Sequence, residues 1–82
     1  MDIETFSVSC NITKHSRDYE LETLLEAVDG KNAAKIFLQD WIEDIFQSLM
    51  NSKEKSLVIA VSHPNGFIEY FEVRNNFLRS ID

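Results

Sequence analysis

The amino-acid sequence predicts an α+β fold of order β-β-α-β-β, a four-stranded antiparallel sheet with one helix packed on one face. Three observations predict it. Residues 5–12 alternate between polar and apolar, residues 31–50 carry apolar side chains at helical spacing, and two β-rich runs flank a Pro-Asn-Gly turn. The chain of 82 residues is long enough for one domain, 1–82, and too short for two.

The first strand is expected over residues 3–13. Phe6, Val8, Cys10 and Ile12 share one face, and Thr5, Ser7, Ser9 and Asn11 share the other. This period of two marks a half-buried strand. The polar run from Thr13 to Asp18 reads as the connecting loop.

Residues 19–28 allow two readings. As a helix, Leu21, Leu24, Leu25 and Val28 form a stripe that Gly30 would end. As a strand, Tyr19, Leu21, Thr23, Leu25 and Ala27 oppose Glu20, Glu22 and Glu26. The strand is preferred, because a short polar loop before it suits a hairpin with the first strand.

Residues 31–50 are the clearest element. Asp29 or Asn32 can cap the N-terminus, and no Gly or Pro interrupts the run. Ala34, Phe37, Leu38, Trp41, Ile42, Ile45, Phe46 and Leu49 fall on one arc. The arc spans about 180°, wider than the roughly 100° that one core-facing stripe requires. Trp41 is expected to be largely buried. Asn51 to Lys55 then ends the helix in solvent.

The last third is a hairpin. Ser56 to Ser62 is β-rich and uncharged, His63-Pro64-Asn65-Gly66 suits a type I turn closed by a left-handed glycine, and Phe67 to Arg74 returns. That turn pairs Val61 with Glu69, Ile59 with Phe71 and Leu57 with Val73. After Asn75-Asn76, residues Phe77, Leu78 and Ile81 read as a short docking tail.

Composition removes several classes of function. Fourteen acidic against eight basic residues give a net charge of -6, which opposes wrapping a nucleic acid backbone. One cysteine cannot form an internal disulfide, which suits a cytoplasmic protein. Asp2 and Glu4 near the start do not resemble a signal peptide, and no apolar run approaches the roughly 20 residues of a membrane span.

Chemistry-bearing motifs are few. Cys10 alternates in phase with apolar neighbours and reads as a small buried hydrophobe. His15 and His63 fall in turns that, at the same end of the sheet, would make a shared metal site conceivable; without a spaced third ligand no metal is expected. Glu20 with Glu22, Asp40 with Glu43 and Asp44, and Glu69 with Glu72 lie on polar faces, which favours solvation over acid-base work. Two glycines cannot build a phosphate loop. No enzyme activity and no cofactor are expected.

Charge distribution carries the functional expectation. No Lys or Arg occurs between residues 36 and 52, where Asp40, Glu43, Asp44 and Gln47 repeat at helical spacing. These, with Glu69 and Glu72, form an expected acidic ridge for a basic surface of a partner protein. By analogy of size, charge and class, small acidic α+β chains serve as inhibitors, among them immunity, antitoxin and anti-defence proteins. The alternative is a homo-oligomeric structural or accessory domain. Excess apolar residues, Ile42, Phe46 and Met50 on the helix flank and Val58, Ala60, Ile68 and Tyr70 on the outer sheet, predict a homodimer or a partner patch.

Overall fold

The structure, a computed structural model, describes residues 2–51, 56–74 and 77–81. Its elements are β1 (Glu4–Lys14), β2 (Arg17–Ala27), α1 (Gly30–Asp40), α2 (Ile42–Asn51), β3 (Ser56–Ser62), β4 (Ile68–Arg74) and β5 (Phe77–Ile81). The strands form one antiparallel sheet of order β2-β1-β3-β4-β5, with both helices on one face. The expected four strands and one helix are therefore corrected to five strands and two helices.

The N-terminal hairpin is longer than the sequence implied. β1 and β2 pair from Glu4↔Ala27 to Lys14↔Arg17, so most of the polar stretch expected as a loop is strand. Only His15 and Ser16 remain as the turn, with φ of 53° and 63°. Positive φ at both central positions is the type I′ pattern, whose twist matches that of the flanking strands. Neither residue is the Asn or Gly that usually signals this turn. Residues 17–27 are strand, which resolves the ambiguity of that segment.

Asp29 caps α1, its carboxylate accepting the Asn32 N–H at 2.7 Å while Asn32 Oδ1 accepts from the Val28 N–H at 3.2 Å. The expected single helix then bends at Trp41, where φ is -115° and ψ is 25°. Hydrogen bonding carries through the bend: the Trp41 N–H donates to Phe37 O at 3.1 Å, and the Ile45 N–H donates to Trp41 O at 2.9 Å. A straight helix over both segments would run about 30 Å across a twisted sheet. The bend keeps α1 on β1, β2, β3 and the start of β4 and turns α2 onto β1 and β3. Trp41 packs partly buried against the core at this junction, in line with the expectation that most of it would be covered.

The β3–β4 hairpin has the expected turn and register, including Val61↔Glu69, Ile59↔Phe71 and Leu57↔Val73. The Gly66 N–H donates to His63 O at 3.0 Å, and Gly66 itself sits at φ 91°, where side-chain-bearing residues are strained. The expected docking tail is instead β5, paired with β4 from Arg74↔Phe77 to Tyr70↔Ile81. The end of the predicted helix over Lys53 to Lys55, and the break at Asn75-Asn76, lie outside the described residues.

The core lies between sheet and helices. Phe6, Val8, Phe37, Ile45, Ile59 and Phe71 are among its fully buried members. β1 pairs with β3 over only Ser7 to Cys10; beyond that the β1–β2 hairpin runs unpaired with β3 and is backed by α2. There the buried Ser48 Oγ accepts the Thr13 backbone N–H at 2.9 Å.

Candidate interaction surface

The groups with conventional chemistry are packed away or separated. Cys10 is buried among apolar side chains, and burial pushes its thiol up to about 11, far from a reactive thiolate at neutral pH. His63 stacks edge-on against Phe6, with ring centres 5.0 Å apart, whereas His15 lies in the turn at the other end of β1. Nine residues of strand separate Phe6 from His15, about 30 Å. The two turns thus sit at opposite ends, and a shared metal site is excluded by that distance. Among the described residues, no group of three or more His, Cys, Asp or Glu is arranged to hold a metal.

His63 belongs to a packing cluster. Its Nε2 lies 2.9 Å from Glu69 Oε1, and its ring also contacts Phe67 edge-on at 5.2 Å. Gly30, the first residue of α1, presses against this pair. A Cβ there would collide with Glu69 Oε1 and lie 3.0 Å from His63 Nε2. The helix N-terminus and the β3–β4 turn therefore meet without space for a side chain.

The five carboxylates expected to form a ridge are distributed over three surfaces. Asp40, Glu43 and Asp44 surround the bend beside Trp41, lining a recess of about 350 Å³ with Gln39 and Ile42. Asp44 is held by Lys14 at 3.2 Å. Glu69 faces the helix layer and bonds His63, while Glu72 lies on the outer sheet face, paired with Arg79 at 3.0 Å. Asp40 and Glu43 alone of the five are exposed and without a hydrogen bond or ion pair to a described residue.

The apolar residues divide as well. Ile42 and Met50 are exposed and Phe46 is half-buried along the helix layer. Val58, Ile68 and Tyr70 are exposed on the opposite side, the outer sheet face. The register aligns Ala60, Tyr70 and Ile81 in one cross-strand row. Val58 lies in the adjacent row beside the Glu72–Arg79 pair.

A second acidic feature emerges only from the sheet order. β2 is an edge strand, and Asp18, Glu20, Glu22 and Glu26 all project, exposed, from its outer face. Asp18 accepts the Thr13 hydroxyl at 3.0 Å; the three glutamates make no hydrogen bond or ion pair with described residues. The alternation Asp-x-Glu-x-Glu was visible in the sequence, but its position at a sheet edge was not. On the helix side of β2, Tyr19, Leu21 and Trp41 border a recess of about 480 Å³ that also touches Ile12, Lys14 and Asp44.

No protein-family model, curated protein or solved structure matches the chain. Among the described residues, no helix is long and apolar enough to cross a membrane.

Proposed function

We propose that this chain is a non-catalytic, acidic protein-binding module, a regulator or inhibitor that occupies a basic surface of a partner protein. One observation carries the reading. Glu20, Glu22, Glu26, Asp40 and Glu43 are exposed carboxylates with no cation among the described residues, while Asp44, Glu69 and Glu72 are engaged internally. Exposed charge of one sign steers encounter with the opposite sign and sets partner choice more than affinity. A net charge of -6 repels nucleic acid as a direct ligand. The proposal includes a cytoplasmic setting, supported by a single thiol where a secreted domain of this size usually carries paired ones.

Capture of partners on the immobilised protein, repeated across a salt series and with an E22K/E43K variant, tests the reading. Both residues are exposed, so the variant should fold. Captured proteins should be lost steeply with salt and with the variant. Equal recovery by wild type and variant at all salt concentrations would overturn it.

The outer sheet face supports a second reading, self-association through Val58, Ile68, Tyr70 and Ile81. Contiguous exposed apolar surface favours isologous contact. Sedimentation would then show a dimer that persists in high salt, and a monomer at high micromolar concentration would reject it.

A further inference from the structure

We infer that the free edge of β2 is a docking edge, to which an extended basic segment of the partner adds as a further strand. The inference rests on the acidic-module reading and specifies how the contact is made. β2 is the outermost strand on its side of the sheet and runs 11 residues. Among the described residues, no hydrogen bond reaches its outer edge. Backbone donors and acceptors along an exposed edge are a template for one more strand.

The side chains flanking that edge select what adds to it. On the outer face, Asp18, Glu20 and Glu22 follow the strand repeat, about 6.6 Å between alternate residues, and Glu26 resumes it beyond the exposed Leu24. An added strand has the same repeat, so Lys or Arg at alternate positions falls opposite this row. On the helix side stand Tyr19, 44% exposed, and the half-buried Leu21, with the recess beneath Trp41 next to them. The intervening positions of the added strand are therefore small and apolar. The occupant is an extended segment alternating basic and aliphatic residues.

A second copy of this chain does not fit. Antiparallel pairing of two β2 edges sets their carboxylate rows side by side, and like charges across strands are destabilising. The same carboxylates that reject a copy receive a basic strand.

The probe is a peptide of about ten residues alternating lysine and valine, titrated at low salt while the emission of Trp41, the one tryptophan, is followed. Controls are a block-ordered peptide of the same composition and two N-methylated versions, one on every lysine and one on every valine. Alternate residues of a strand direct their N–H groups to opposite edges, so each methylation blocks one edge. The alternating peptide should shift Trp41 emission and bind at least about tenfold tighter than the block peptide. One methylated version should lose about tenfold in affinity, since several backbone hydrogen bonds are removed together, and the other should stay within about twofold. An E20K/E22K variant with an unchanged circular dichroism spectrum should lose binding. If block and alternating peptides bind alike, or both methylated peptides match the parent, strand addition is overturned while the acidic-module reading stands. If no peptide binds at low salt, the docking edge is overturned, and the module reading is judged by partner capture alone.

Discussion

Ser48 Oγ on α2 accepts the backbone N–H of Thr13 on β1 at 2.9 Å, across 35 residues of sequence. β1 has passed the end of its pairing with β3 at this point, and a helix side chain completes what a strand would have supplied. Ser48 is the one buried polar residue among those described.

Ser48→Ala should therefore leave the Thr13 N–H without its partner. The expected cost is about 0.5–1.5 kcal/mol, the net worth of one part-buried hydrogen bond. Urea unfolding at unchanged m-value measures it. A cost near zero would mean that water replaces the hydroxyl.

Gly30→Ala should destabilise although it introduces a better helix former. The new methyl collides with Glu69 Oε1, so the carboxylate must swing away and leave His63, at an expected cost of about 1 kcal/mol. In a Glu69→Ala background the penalty should shrink or reverse, because the space is then open. A double-mutant cycle reads this coupling, and additive effects would contradict the contact.

Trp41→Ala should cost about 3 kcal/mol, the lower end of the roughly 3–5 kcal/mol of a fully buried aromatic, because the ring packs on the core but keeps some exposure. Thermal or urea unfolding provides the measurement. A loss at the upper end would place the ring deeper than the bend between α1 and α2 allows.

Cys10 should resist thiol reagents at pH 7–8 in the native state and react quickly in denaturant. Its folded pKa of about 11 lies above the unfolded value of 9.0, so above pH 9.0 the unfolded state releases this proton first. This contribution to stability is constant below pH 9.0 and falls as pH rises toward about 11. Unfolding free energies measured across that window should decline less for Cys10→Ala than for wild type.

Legibility in the sequence followed the range of the interactions. The alternation of β1 and the turn at Pro64-Asn65-Gly66 are local, and they specified burial and cross-strand register to the residue. The turn at His15-Ser16 carries no Gly or Asn to announce its left-handed backbone. The bend at Trp41 has no Gly or Pro. In β5 the run Phe-Leu-Arg-Ser-Ile has no clean alternation, and pairing with β4 organises it. The acidic surface was legible only as residue types. Whether a carboxylate stays available depends on distant partners, as with Lys14 and Asp44, 30 positions apart. That β2 is an edge follows from β1 pairing with β3 on its other side, which no local pattern encodes.

The short ladder between β1 and β3 is where the molecule should divide energetically. β1 and β2 pair along 11 positions, whereas β1 and β3 share four, Ser7 to Cys10. The sheet is thus an N-terminal ribbon and a C-terminal three-strand meander sewn together by a brief seam, with the bent helix pair laid over both. Such a seam is where a protein opens first when it opens in parts. Native-state hydrogen exchange should sort the amides of β1–β2 and of β3–β5 into two cooperative groups. The stitching of α1 and α2, more than strand pairing, would then set the free energy at which the ribbon peels away.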